Sequence, residues 1–356
     1  MSCFATLLNG AYALARPIIH KMDGEDAHNL TLTALEKLPA AKSPLTSAVL
    51  RCDVAGLSFP NPVGLAPGFD KDARVADVMP HFGFGFVEVG TLTPLPQEGN
   101  PRPRLFRLVE DQAVINRMGF NNGGQAAAAT RIAKLRQRGL AVPLGINIGA
   151  NKESADRIAD YAKGTAAMAH LADYLTVNIS SPNTPGLRAL QDRGALEELL
   201  DAVNAAMPEG ARKPVFLKVA PDLEPADIDD ILSVAQSRAL AAIIISNTTI
   251  ERPALASAHG GEAGGLSGAP LRGLALQRLK DFHQRGGGVI PLIAAGGIAS
   301  AEQAWARIRA GASLVQIYSA MVYEGPALAR TIAMGLERLA KEQGFARVAD
   351  AVGSDS

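Results

Sequence analysis

Directly after the apolar run Tyr174 to Val177, the chain reads Asn178-Ile179-Ser180-Ser181-Pro182-Asn183-Thr184-Pro185-Gly186-Leu187-Arg188. The apolar run suits a buried strand, and the segment after it gathers carboxamides, hydroxyls and turn formers in one short loop. Asn and Ser are poor strand residues and normally mark solvated turns. At the end of a strand in a parallel barrel they stand where such a fold carries its chemistry. Carboxamides donate and accept, so several can grip a planar, uncharged amide ring. A hydroxyl among them can take a proton if its surroundings assist.

Polar residues recur at the ends of other apolar runs: Pro67-Gly68-Phe69-Asp70-Lys71, Gly90-Thr91, Asn147, Lys218, Ser246-Asn247-Thr248-Thr249, Gly296-Gly297 and Tyr318-Ser319. Polar groups at the tips of buried strands cost free energy unless something pairs with them, and this many at the same end of each strand points to a large polar ligand. Lys218, between Leu217 and Val219, is the sharpest case. It is either half of an ion pair with a core carboxylate or a fixed cation facing a ligand that becomes negative during turnover, such as a reduced flavin. Ala295-Gly296-Gly297-Ile298 before a helix near Ser300, with Tyr318-Ser319 after the next strand, suits a phosphate site, because glycine lets phosphate oxygens approach backbone N–H groups. Gly264-Gly265-Leu266-Ser267-Gly268 reads as a second flexible, donor-rich loop. Asn116-Arg117-Met118-Gly119-Phe120-Asn121-Asn122 adds further amides. Lys71 is either a cation for a ligand carboxylate or an ordinary surface lysine.

Eight short β-rich runs must position these groups: 63–66, 86–90, 144–148, 174–179, 215–219, 242–246, 292–295 and 314–318. Most are separated by helix-length segments, which argues for a (β/α)8 barrel. An open doubly wound sheet would more readily show a glycine fingerprint after its first strand, and none is present. Thr91 to Asn122 is too long for a plain connection and reads as a lid or binding element. At the N-terminus, Phe4, Leu7, Leu8, Ala11, Leu14, Ala15, Ile18 and Ile19 recur at helical spacing. Arg16 and Lys21 follow this apolar stretch instead of preceding it, so it reads as an amphipathic helix retained in the mature protein and not as a secretory signal. A second helix is expected over about Glu25 to Leu38, capped by Asp23, with Ala27, Leu30, Ala34, Leu35 and Leu38 on its apolar face. Residues 1–43 thus form a helical extension and 44–356 the barrel, joined through a linker at Pro39 to Pro44.

Bulk properties narrow the function. Lys+Arg and Asp+Glu both number 35, giving a formal net charge of zero, so no basic field exists for nucleic acid. Two cysteines, Cys3 and Cys52, give no disulfide framework and no metal-ligand spacing, and the 6 histidines show no paired pattern. No metal is expected, and a reducing compartment is. No apolar run is long enough to cross a bilayer.

Five runs in order, Pro67 to Lys71, Gly99-Asn100-Pro101-Arg102-Pro103-Arg104, Asn116 to Phe120, Asn178 to Thr184 and Gly264 to Gly268, resemble dihydroorotate dehydrogenase across nearly the whole chain. The similarity is to the membrane-associated, quinone-reducing class, which has serine at the Ser181 position and an N-terminal two-helix extension. The resemblance implies FMN held by Pro67, Gly68, Phe69, Asp70, Lys71, Thr91, Asn147, Asn178, Lys218, Ser246, Gly268, Gly297, Tyr318 and Ser319. It implies dihydroorotate held by Lys71, Asn116, Arg117, Met118, Gly119, Phe120, Asn178, Asn183, Asn247 and Thr248. Ser181 would be the base, Lys218 would stabilise charge near flavin N1, and Thr184 with a water enclosed by Phe120 would carry the proton away. His28 and Arg107 match positions along a ubiquinone path. A peripheral protein on the cytoplasmic face of a bacterial inner membrane, and a monomer, are expected. A soluble relative reducing fumarate or NAD would lack the helical extension, and a barrel kept only as a sensor or scaffold would have no need of a base.

Overall fold

Each apolar run is short, fully buried and flanked by turn formers, the pattern of strands covered on both faces. In the computed structural model, which describes residues 3–355, eight of them close into a parallel barrel. These strands are β1 (Val63–Leu65), β2 (Phe86–Leu92), β3 (Leu144–Ile148), β4 (Tyr174–Asn178), β5 (Val215–Val219), β6 (Ala242–Ile245), β7 (Leu292–Ala295) and β8 (Ala312–Ile317). Neighbours pair in chain order and β8 closes on β1. The (β/α)8 expectation holds, with boundaries shifted by one or two residues. The helix expected near Ser300 is Ala301–Arg309, and the Ser300 side chain caps it by accepting from Gln303 N.

The barrel floor is aromatic. A hairpin, Cys52–Val54 with Leu57–Phe59, brings Phe59 against Phe86 with ring centroids 5.2 Å apart. Tyr174 stacks on Phe216 at 4.3 Å. The adjacent strands thin out to make room: a Cβ on Gly64 would meet the Phe86 ring at 2.1 Å, and one on Gly145 the Tyr174 ring at 2.2 Å. A sealed floor leaves the C-terminal end of the barrel for chemistry.

The segment 91–122, expected as a lid or binding element, carries a hairpin, Leu105–Leu108 with Ala113–Asn116. One expectation about a loop needs correction. The glycine-rich run after β6 is not flexible: Gly265–Gly268 is a buried strand paired antiparallel to Ala113–Asn116, completing a three-stranded sheet. Glycine is needed there because a Cβ on Gly265 would meet Thr248 Oγ1 at 1.9 Å. Close approach, not mobility, explains that composition.

The extension forms two helices, α1 (Cys3–Ile19) and α2 (Gly24–Leu35), with Asp23 capping α2 by accepting from Glu25 N and Asp26 N. The side chains of Cys3, Phe4, Leu7, Leu8, Ala11 and Ile18 lie outside the described residues. Among those described, Leu14 is 83% and Leu30 55% exposed. No helix among the described residues is long and apolar enough to cross a membrane. α1 is fastened to the segment after β8: Tyr12 OH donates to Val322 O (2.6 Å), Arg16 to Tyr323 O (2.8 Å), and His20 Nε2 lies 3.1 Å from Val322 O. α2 is pinned by Glu25, whose carboxylate accepts from Arg104 Nη2 (2.6 Å) and Nε (2.9 Å) and from Arg102 Nε (3.1 Å).

The Arg104 hydrogen bonds hold the Glu25 carboxyl down, from 4.5 to about 2. A depressed carboxyl stabilises above its unfolded value, so the pin is complete above pH 4.5 and is lost as pH falls toward about 2. Glu25→Gln should loosen α2 at neutral pH, raising tryptic cleavage within residues 1–43 by roughly tenfold while the barrel stays resistant. Unchanged cleavage rates would show that the pin contributes nothing.

Candidate functional site

The strand register sets the site. Asn178 at the end of β4 pairs with Lys218 on β5, and Asn147 on β3 pairs with Thr176 on β4. Asn178 Nδ2 donates to Thr91 Oγ1 (2.9 Å) and Asn147 Oδ1 (3.1 Å), while Thr91 Oγ1 donates to Asn147 Oδ1 (2.6 Å). Asn147 Nδ2 donates downward to Glu88 Oε1 (2.8 Å), and Glu88 Oε2 also accepts from Tyr174 OH (3.1 Å) and Gln316 Nε2 (2.7 Å). All of these residues are buried, and the atoms of the ladder find partners, as burial requires, although Thr176 Oγ1 and Gln316 Oε1 have none. Lys218 is 5% exposed, and among the described residues its ammonium has no hydrogen-bond acceptor. Burial pushes its pKa down, opposed by the charge of Glu88. The core carboxylate considered as a direct partner is therefore present, but it is engaged by three other donors.

Above this layer runs the loop from Ile179 to Leu187. Ser180 Oγ donates to Asn178 Oδ1 (2.8 Å) and accepts from Asn247 Nδ2 (2.9 Å), joining the ends of β4 and β6. Ser181 is 5% exposed, and its Oγ accepts from Asn183 N (3.2 Å). Asn183 Nδ2 donates to Asn116 Oδ1 (3.3 Å). Arg188 fixes the loop from outside, donating to Ser180 O (3.1 Å), Thr248 O (3.1 Å) and the Asp222 carboxylate (2.7 Å). Thr184 Oγ1 is buried without a partner, an uncommon state for a hydroxyl.

A cavity of about 690 Å³ runs from this polar layer to the two helices. Its inner wall carries Lys71, Asn116, Asn178, Ser181, Lys218 and Asn247; its outer wall is aliphatic, with Ile19, Ala27, Leu30, Leu35, Met321 and Pro326. His28 stands at the join, edge-on to Phe69 with ring centroids 5.3 Å apart. Burial, reinforced by the Lys71 charge, pushes it down to about 3, so the imidazole is neutral at ordinary pH. Arg107 also lines the cavity, and its guanidinium holds the end of α1 by donating to the carbonyls of Ile19 (3.2 Å), His20 (3.2 Å) and Met22. A smaller cavity of about 100 Å³ shares Pro67, Lys218, Asn247, Thr248, Ser267, Tyr318 and Ser319 with the first and ends at Ser246, Gly268, Arg272, Gly296 and Gly297. Gly297 has φ +69°, and a Cβ there would lie 2.5 Å from Arg272 Cα.

Most residues singled out in the sequence converge here: Pro67, Gly68, Phe69, Lys71, Thr91, Met118, Gly119, Phe120, Asn183, Thr248, Tyr318 and Ser319 all line the larger cavity. Asn147 and Thr184 lie behind the lining. Two of the residues lie apart from the lining. Asp70 is fully buried and lines neither cavity; its carboxylate accepts from Arg74 N (2.7 Å) and Val75 N (2.8 Å), closing the turn after β1. The Arg117 side chain leaves the cavity to pair with Glu262 (2.7 Å) and to cover the Phe106 ring at 4.6 Å. Glu88 and Arg272 were missed, and Ser180, Arg188 and Ser267 stood within the quoted runs without a role of their own. Glu88 could have been found, as a lone acid inside the apolar run 86–89.

Barrel, amide-lined mouth, loop serine and glycine-walled annexe together define an enzyme of the (β/α)8 class. The family model for dihydroorotate dehydrogenase matches residues 49–339. A protein of Sphingopyxis alaskensis named dihydroorotate dehydrogenase (quinone) is 78% identical over 354 residues, 99% of either chain. One of that name from Novosphingobium aromaticivorans is 63% identical, covering 97% of this chain and 99% of its own. The crystal structure of the Eimeria tenella enzyme in complex with ferulenol superposes with a TM-score of 0.89 at 39% identity, covering 94% of this chain and 96% of that one. The chain belongs to the dihydroorotate dehydrogenase family.

Lys71 lies deep in the protein yet keeps surface on the cavity, so it is not an ordinary surface lysine; its ammonium donates to Gly68 O (2.8 Å). Burial pushes it down to about 8, against the opposing pull of Glu25 and Asp72. A cation so depressed is lost as pH rises through about 8. Binding of a carboxylate-bearing ligand, followed by titration calorimetry, should weaken above that pH by up to about tenfold per unit. Lys71→Met should bind weakly and without that dependence.

Proposed function

We infer that the protein oxidises (S)-dihydroorotate to orotate and passes the electrons through FMN to a membrane quinone, a step of pyrimidine nucleotide biosynthesis. The observation that carries this reading is the convergence of Ser181, Lys218 and four carboxamides on one cavity, in a chain so similar to proteins named for that reaction.

The joined cavities suit FMN: Lys218 offers a buried ammonium with no acceptor of its own among the described residues, and the bare backbone at Gly268 and Gly297 suits a phosphate. Pro67, Gly68, Thr91, Asn178, Ser246, Tyr318 and Ser319 would complete its setting, with Asn147 bracing Thr91 and Asn178 from behind. When bound, FMN supplies the acceptor for the hydride leaving dihydroorotate C6. Lys218 then offers fixed positive charge without having to reorganise.

The rest of the reaction falls to side chains. Ser181 takes the C5 proton. A serine hydroxyl is a weak base, so the proton needs somewhere to go. Thr184 Oγ1, buried without a partner, is free to hold a water beneath Phe120 as that route. Asn116, Asn178, Asn183 and Asn247 hold the pyrimidine ring so that both C–H bonds stay aligned for cleavage. Lys71 faces the carboxylate, and Met118, Gly119 and Thr248 border the ring.

Residues 1–43 serve as a separate unit on the barrel of 44–356. The aliphatic outer wall of the cavity takes the quinone past His28 and Arg107, and exposed Leu14 and Leu30 rest in the bilayer interface. On this reading the protein is a monomer bound peripherally to the cytoplasmic face of a bacterial inner membrane.

Ser181→Ala should keep its flavin yet slow bleaching of the flavin band by dihydroorotate roughly 10²- to 10⁴-fold in stopped flow; unchanged bleaching would remove Ser181 from its role. Deleting Met1 to Lys42 should abolish reduction of long-tailed quinones and binding to vesicles, while substrate still bleaches the flavin. Normal turnover of such quinones by the truncated protein would refute the proposed path.

A further inference from the structure

Beneath the glycine-walled cavity lies an arginine that none of the above uses. Arg307, on the helix Ala301–Arg309, is 2% exposed and among the largest fully buried side chains of the chain. Its Nη2 donates to Arg272 O (2.7 Å) and Gly296 O (3.1 Å), and its Nη1 has no partner. Among the described residues no carboxylate lies within ion-pair distance of it. Arg272 is in the same position: its Nε donates to Gly297 O (3.1 Å), again a neutral carbonyl. Two guanidinium groups thus meet one wall with only backbone oxygens to answer them.

A buried cation held by neutral acceptors is poorly compensated, and a second cation beside it worsens the balance. Burial and the Arg272 charge both act against the charged form of Arg307, pushing it down to about 10, which still leaves it charged at neutral pH. Carbonyls whose lone pairs are drawn toward Arg307 belong to Arg272 and Gly296, and both residues line the 100 Å³ cavity. The helix that carries Arg307 is capped by Ser300, just after Gly296-Gly297-Ile298, so its positive end faces the same way. Among the described residues the one carboxylate on the rim, Glu324, is exposed to solvent. An anion in this cavity would supply the charge that the wall lacks.

We propose that Arg307 is a buried counter-charge for the cofactor phosphate, acting from behind the Gly296–Gly297 wall, and that it sets the preference for a phosphorylated flavin over the unphosphorylated one. This rests on the reading of the joined cavities as a flavin site and adds a residue that does not touch the ligand. Arg307 is a positioning residue: it fixes the two carbonyls of the wall and acts on the phosphate through low-dielectric protein, where screening by salt is weak.

The test uses the full chain stripped of flavin, with binding of FMN and of riboflavin followed by quenching of flavin fluorescence. The wild type should prefer FMN. Arg307→Met should lower the FMN affinity by roughly tenfold or more and leave riboflavin affinity nearly unchanged, because only the phosphate feels the missing charge. Arg307→Gln carries the same test should the methionine variant not fold. Arg307→Lys, which keeps the charge, should restore most of the preference. Equal losses for both flavins, or an unaltered preference in the neutral variants, would assign Arg307 a packing role and overturn the proposal. A lysine variant as indiscriminate as the neutral ones would overturn it too. A wild type that binds neither flavin would instead sink the flavin reading on which it rests.

Discussion

An apolar barrel gains stability by excluding water, whereas its mouth must keep amides, hydroxyls and ammonium groups in place with little water to solvate them. Each such group left unpaired in the interior costs about 1–3 kcal/mol. The chain meets this constraint with a vertical ladder of hydrogen bonds. Asn178 rests on Thr91 and Asn147, Asn147 on Glu88, and Glu88 is steadied by Tyr174 from β4 and Gln316 from β8. The ladder ties the strand ends together, so carboxamides that look like solvated turn residues become fixed tools. Lys218 stands beside the ladder without joining it, which leaves its ammonium for a ligand.

The same constraint explains the loops. Ser181 gains its position from neighbours: Ser180 bridges Asn178 and Asn247, while Arg188 grips two carbonyls and a carboxylate from behind. The three-stranded sheet formed by 105–108, 113–116 and 265–268 holds Asn116 at the rim. The rim is therefore braced secondary structure, although its sequence has the composition of flexible linkers.

Strand placement was legible because parallel strands buried on both faces leave short, dense apolar runs, and polar residues at their ends stood out against them. Less legible was anything decided by contact between distant segments. Gly264 to Gly268 has the composition of a hinge, and only its pairing with Ala113–Asn116 makes it a strand. Asp70 sits in a run that otherwise lines the cavity, but the turn after β1 needed a carboxylate for its own amides. Arg117 sits between two lining residues, Asn116 and Met118, and alternation sends its side chain outward to Glu262. Arg307 gave no signal at all, since an arginine near the end of an amphipathic helix is ordinarily solvated.

Tyr12 and His20 both meet the carbonyl of Val322, and Arg16 meets that of Tyr323, a few residues beyond Tyr318 and Ser319 in the cavity wall. The first helix is thus bolted to the peptide that follows the last barrel strand, and hardly to any floating surface loop. Any displacement of that helix pulls on the far wall of the cavity within a handful of bonds. The placement of that helix and the fine shape of the cavity are in this way one mechanical event.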